Sequence, residues 1–265
     1  MTATITYDCN HKRRFRPALV VSKLVAWAAV VVVAAGLATD ACAADSAPTV
    51  KTSQNRPPLK FAYDVLPILT KLNCNSGGCH GKSTGQNGFK LSLMGFEPPQ
   101  DYVAIVNEAR GRRLFPGDPD RSLLLRKPTG QVPHGGGRRL KIDSDDYRTL
   151  RRWIASGSPG PRPDDPALLR ITLSPQRGLF KPNTKQQIKV TAHFSNGLTK
   201  DVTALAVFEA NDPEVVSVDA AGTVTTGSRG GLFSVMVRFG DQMGVFQGVV
   251  PYNLEGSVKL ADIPQ

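Results

Sequence analysis

The chain has 265 residues, of which 40% are hydrophobic, 7% aromatic and 21% charged. Those proportions exclude a polytopic membrane protein and a largely disordered chain, and the length admits one large domain or two of roughly 100–150 residues. Thirty-three Lys and Arg against 22 Asp and Glu leave a net charge of +11, which suits an acidic partner, a membrane surface or a bound anion; four cysteines are too few for a disulfide-built scaffold of this size.

Residues 1–43 read as an export signal. Lys12, Arg13, Arg14 and Arg16 form its basic part, an apolar stretch runs from Ala18 to Ala38, and Ala41-Cys42-Ala43 places small residues where a signal peptidase reads. Cleavage is expected after Ala43, for a periplasmic or cell-envelope protein. A retained membrane anchor is the competing reading, but the uninterrupted apolar run Leu24–Ala38 is 15 residues, short of the ~20 that a span needs. Cleavage removes a net charge of +3, leaving a mature chain near +8, and it removes Cys9 and Cys42. Only Cys74 and Cys79 remain, with His80 directly after the second.

Residues 44–58 are polar, end in Pro57-Pro58 and suit a flexible tether. Within the next block, 59–158, Phe61, Val65, Ile68, Leu69 and Leu72 fall at helical spacing, interrupted at Pro67. Residues 100–109 form a second helical candidate. In the third, Ser144 caps, Asp145 and Asp146 occupy the first turn, Tyr147, Leu150 and Ile154 line one face, and Gly157 ends the helix. These apolar stripes make a thin core for about 100 residues, so something else is expected to fill the middle.

Residues 159–167 hold four prolines in nine positions, which predicts a stiff linker. From 168 to 253 the chain is rich in Val, Thr and Phe. Ile188, Val190, Ala192 and Phe194 alternate with polar residues before an Asn196-Gly197 turn, and Phe233, Val235, Val237 and Phe239 alternate again. About seven short strands are expected, as in an Ig-like sandwich. Residues 254–265 read as a tail.

The chemistry concentrates in Cys74–His80, read as CNSGGCH. Covalent haem attachment needs two thiols to reach two vinyl groups on one porphyrin edge, and a His directly after the second Cys to lie under the iron. The usual spacing is two residues between the cysteines; here Asn75, Ser76, Gly77 and Gly78 intervene, with two glycines that let the longer loop bulge. A Cys74–Cys79 disulfide, a zinc site built from both thiols and two His, or a loop pair with no role are the competing readings. A sixth ligand would come from His134, in Val132-Pro133-His134-Gly135-Gly136-Gly137, or alternatively from Met94. His134 is preferred, because Met94 sits in an apolar run that suits packing. Two imidazoles would give a lower reduction potential than an imidazole with a thioether. His193 falls on the outward side of its strand. Arg110, Arg112, Arg113, Arg121, Arg126, Lys127, Arg138, Arg139 and Lys141 cluster in this block. They suit haem propionates and the docking of an acidic redox partner; export argues against nucleic acid.

Residues 61–157 resemble the planctomycete-type cytochrome c domain. The carrying pieces are FAYDVLPIL, CNSGGCHGKSTGQNGFKLSLMGF, ARGRRLFPGDPDRSLLLRK, VPHGGG and LRRWIASG. Residues 168–253 resemble a bacterial Ig-like group 2 domain through LLRITLSP, TAHFSNGLTKDVTA and NDPEVVSVDAAGTVTTGSRGG. The resemblance implies a multidomain protein: a small all-α c-type cytochrome-like domain (59–158), a Pro-rich linker (159–167) and an all-β Ig-like sandwich (168–253). It implies haem c held by Cys74 and Cys79, His80 as proximal ligand, and electron transfer in place of substrate turnover. Where the family usually reads Met-Pro in its last loop, this chain has Val132-Pro133-His134, which places His134 at the distal position. A large partner subunit, or a carbohydrate or cell-surface ligand, would be met through the Ig-like part. The alternative is an exported adhesive or carbohydrate-associated module in which Cys74 and Cys79 form a disulfide.

Overall fold

The chain is described from Pro57 to Tyr252 in a computed structural model. The export segment 1–43, the tether up to residue 56 and the tail 254–265 lie outside the described residues. A π-helical turn, Phe61–Val65, leads into α1 (Leu66–Lys71), with Pro67 in its first turn, where the missing N–H is no loss. α2 spans Pro98–Val106, α3 Leu123–Arg126 and α4 Asp145–Ala155. The Ser144 hydroxyl accepts from the Tyr147 N–H at 3.2 Å and caps α4. At the other end of α4, Gly157 takes a φ of +85° while the Ser158 N–H closes onto the Trp153 carbonyl at 3.0 Å. Phe61, Trp153, Leu125 and Ile154 are fully buried together, and the Phe61 ring meets Tyr102 and Trp153 at 5.4 and 5.6 Å.

The remainder is β. The strands are β1 (Leu168–Ser174), β2 (Arg177–Leu179), β3 (Lys185–Gln187), β4 (Lys189–Phe194), β5 (Thr199–Asp201), β6 (Val207–Ala210), β7 (Val216–Val218), β8 (Thr223–Thr226), β9 (Gly231–Phe239) and β10 (Gln242–Val250). They form three sheets, in the orders β1-β4-β5, β2-β10-β9-β6 and β3-β8-β7. Only β2 and β10 pair in parallel among these strands. Alternation does the sorting: Phe233, Val235, Val237 and Phe239 of β9 all point into one core with Val190, Ala192, Phe246 and Val250. Each such side chain contributes roughly 1.5–3 kcal/mol by leaving water. In the β4–β5 turn only Gly197 adopts a positive φ, +80°; Asn196 instead accepts the Leu198 N–H through its side-chain oxygen at 3.1 Å.

This architecture corrects the expected fold class. The described residues are mostly β, with ten strands in three sheets where about seven in one sandwich were expected. No small all-α cytochrome-like domain stands beside them: the helices run only four to eleven residues, and loops and turns carry the rest of residues 57–158. The physical reason lies in the stops: Pro128 follows α3 and Gly157 follows α4, while Asn73 after α1 and Ala109 and Arg110 after α2 take left-handed φ, so each helix ends before it can supply a full apolar face. The helical stretch leans on the β part instead. The Tyr63 ring meets Phe194 edge-on at 5.1 Å and its hydroxyl accepts the Leu168 N–H at 3.1 Å. Leu205 packs against both cores. Lys60 pairs with Asp165, and Lys200 with Asp64. All described residues belong to one compact unit. No helix among them is long and apolar enough to cross a membrane.

Candidate functional site

The end of α1 sets the position of Cys74. Asn73 takes a left-handed φ of +59°, a role more often given to glycine. The Cys74 N–H then closes onto the Leu69 carbonyl at 2.8 Å, and the Asn73 N–H onto Thr70 at 2.9 Å. These two bonds make a Schellman motif, so Cys74 is fixed to a helix end. The loop beyond it folds back on itself. The His80 N–H reaches the Cys74 carbonyl at 3.0 Å, and the Gly81 N–H reaches Ser76 at 3.0 Å. Asn75 is wholly buried beneath the loop; its amide donates to the Thr70 hydroxyl at 2.9 Å, while its side-chain oxygen has no hydrogen-bond partner.

A cavity of about 460 Å³ opens against this loop, within the ~300–1,000 Å³ usual for cofactor and small-molecule sites. Both thiols, His80 and His134 line it. Its apolar walls come from α1 (Leu69), from Phe89 and Leu91, from α3 (Leu124) and from α4 (Leu150). Arg112, Arg113, Lys127 and Arg139 also reach it, and no carboxylate does among its described lining residues.

The two histidines are prepared alike. His80 Nδ1 lies 2.9 Å from the Phe89 carbonyl and His134 Nδ1 lies 2.8 Å from the Gly137 carbonyl. A carbonyl can only accept, so Nδ1 carries the proton in each ring and Nε2 keeps its lone pair. That is the arrangement of an imidazole ready to ligate a metal. Burial pushes the His80 pKa down, so the ring stays neutral; the nearby charges of His134, Arg113 and Lys127 act in the same direction, while its bond to Phe89 opposes them. The His134 loop is tied back twice: Lys127 donates to the Pro133 carbonyl at 3.1 Å, and Arg139 to Gly136 at 2.8 Å.

The two thiols are free and partly buried. Burial, with Cys79 close by, pushes the Cys74 thiol up to about 12, while Arg139 pulls the other way. Thiolate is the reactive form. Haem-free folded protein is therefore expected to alkylate at Cys74 about a thousandfold more slowly than an unfolded chain at pH 8, measured by iodoacetamide labelling and peptide mass. Equal rates would place Cys74 outside the shielded cavity.

Of the residues expected from sequence, Cys74, Cys79, His80 and His134 come together. Met94 does not line the cavity; its backbone takes a left-handed φ of +57° and its N–H bonds to Asn75 at 3.0 Å. His193 bonds Thr172 at 2.9 Å on the β part. Among the described residues, no three His, Cys, Asp or Glu side chains are placed to hold a metal ion. A bare zinc ion wants four protein ligands and finds too few, whereas a haem iron draws four nitrogens from its own ring and needs only one or two from the protein. Apolar walls, two thiols, two imidazoles held through Nδ1, and cations without ion-pair partners among the described residues are what such a group would need.

Phe89 and Arg113 matter to the site in ways sequence did not separate out. Phe89 is a lone aromatic in a Gly-rich stretch, and Arg113 is one of nine clustered cations.

No family model matches the chain, and no curated protein matches it. Among solved structures, domains 4 and 5 of the S-layer protein SbsC match with 18% identity over 33% of this chain and 54% of that one, at a TM-score of 0.28. Domains 4–9 of the same protein match with 19% identity over 36% and 15%, at 0.29. The chain thus spans about half of the shorter of these structures.

Proposed function

We propose that the cavity holds a covalently attached haem and that the protein passes single electrons outside the cytoplasm. The observation that supports this most is that two thiols and two imidazoles, each with its Nδ1 held by a backbone carbonyl, line one largely apolar cavity. Haem supplies an iron that cycles between ferric and ferrous states. Cys74 and Cys79 would anchor it through thioether bonds. His80 would be the proximal ligand, oriented by the Phe89 carbonyl, and His134 the distal one, oriented by Gly137. Leu69, Leu91 and Leu150 exclude water, and the exposed cations Arg112, Lys127 and Arg139 suit propionates and an acidic redox partner. Export rests on residues 1–43.

The test is a haem stain on a denaturing gel, using protein exported from a host that matures c-type cytochromes. A stained band at the chain's mass supports the reading, and an unstained one overturns it. In stained protein, His134→Ala is expected to replace the absorption spectrum of an iron held by two imidazoles with that of an open site, and added imidazole restores the original. An unchanged spectrum would remove His134 from the ligand set.

A second reading is favoured by a groove of about 550 Å³ on the outer side of the sheet β2-β10-β9, lined by Arg177, Asn211, Ser234 and Gln247 beside Leu179 and Leu232. Leu179 and Leu232 are 75% and 76% exposed. Such a groove suits a cell-surface or carbohydrate ligand, with the β part as the binding end of an exported module. It is supported if exported protein lacks haem and mass analysis finds Cys74 and Cys79 joined to each other.

A further inference from the structure

We propose that Arg113 is a positioning residue for the cavity's histidine and a fixed charge that favours the ferrous state of an iron held there; the inference rests on the haem reading above. Arg113 is only 7% exposed. Its guanidinium donates to the carbonyls of Ala104 at 2.8 Å, Glu108 at 3.1 Å and Gly88 at 3.1 Å. No carboxylate lies within ion-pair distance of it among the described residues. Its central carbon sits 4.4 Å from the centre of the Phe89 ring, a cation–π seat. That ring in turn lies 4.5 Å from the His80 ring, and the Phe89 carbonyl receives the His80 Nδ1 proton at 2.9 Å. The chain of contact therefore runs from guanidinium to ring to carbonyl to imidazole.

Burying a charge without a counter-ion is costly, and such residues persist where backbone carbonyls and a role hold them. The three carbonyl dipoles hold and partly offset the guanidinium but bring no opposite formal charge, and Glu108 acts on it only from beyond ion-pair distance. A positive charge held in a poorly screened interior repels the extra positive charge of ferric iron, so it raises the share of ferrous iron. The exposed cations at the cavity mouth are screened by salt and do far less.

The experiment measures the ferrous-to-ferric ratio of the exported holoprotein at one fixed ambient potential, with covalent haem quantified in the same samples. Arg113→Gln is expected to lower the ratio about tenfold, equal to 59 mV for one electron. Lys90→Gln, at an exposed cation next to Phe89 that does not line the cavity, is expected to change it less than about twofold at 0.15 M salt. Should Arg113→Gln not fold, Phe89→Leu carries the test. It keeps the charge and removes its seat, and a fall of about threefold is expected. A haem-loaded Arg113→Gln or Phe89→Leu protein with an unaltered ratio overturns the inference while leaving the haem reading intact. Unaltered chain without covalent haem overturns both, and the stain alone reveals which has failed.

Discussion

Exported Cys74→Ala/Cys79→Ala protein is expected to carry no covalent haem, where the unaltered chain stains. The two thiols line one wall of the cavity, five positions apart, and no other cysteine lies in the chain after residue 43. With residues 1–43 removed on export, no second route to a thioether remains. The substitutions themselves are mild. Each change removes a single sulfur, Cys74 packing against the helical core and Cys79 being partly buried, so the fold is expected to lose about 1–2 kcal/mol, read as a modest shift in a urea midpoint. That separation matters, because loss of stain with loss of folding would say nothing of the thiols. A folded, unstained double variant supports the haem site. A folded double variant that still stains means the haem is attached elsewhere, and the cavity loses its assignment.

Sequence spacing picked out four residues that line one cavity and misjudged the fold around them. Cys74, Cys79 and His80 are adjacent in the chain, so their association is local and needs only a short turn. His134 lies 54 positions beyond His80, yet its Pro-His-Gly surroundings announce a loop able to approach closely, and it does meet the others. Ser144, Asp145 and Gly157 marked the ends of α4 because capping is local chemistry. What failed was the inference from short helical stripes to an all-α domain. Helices this short depend on their neighbours. Tyr63, against Phe194 of β4, shows that part of the support comes from a strand more than a hundred residues away, and Leu205, in the turn between β5 and β6, packs against both cores. Strand count failed for a similar reason: β2, β3 and β5 are three residues each, too short for alternation to register. Arg113 could not be picked from nine cations, since its burial is decided by Ala104, Gly88 and Phe89, which touch it only in the fold.

Gly81→Ala is expected to disrupt the site as thoroughly as losing the thiols, by a different route. A Cβ at Gly81 would lie 2.0 Å from the Asn75 carbonyl oxygen and 2.9 Å from that of Ser76. The φ of Gly81 is not in the left-handed region, so the cost is purely one of space. Neither carbonyl can step aside cheaply. The Asn75 oxygen accepts the Met94 N–H at 3.0 Å, and the Asn75 side chain is buried against Thr70. The Ser76 oxygen accepts from both Cys79 and Gly81 at 3.0 Å. Moving either peptide therefore opens the loop that holds Cys79 and His80. Overpacking of this kind costs about 1–3 kcal/mol, and lost loop bonds add about 1 kcal/mol each, so a total near 3 kcal/mol is expected from urea unfolding, with haem stain falling in parallel. Gly77→Ala is the matched control. A Cβ there meets nothing within 4 Å, so its midpoint should stay within about 0.5 kcal/mol of the unaltered chain. Equal midpoints for the two variants would mean that closure of the Cys74–Gly81 loop does not build the site, and that the thiols and His80 are brought to the cavity by the surrounding helices alone.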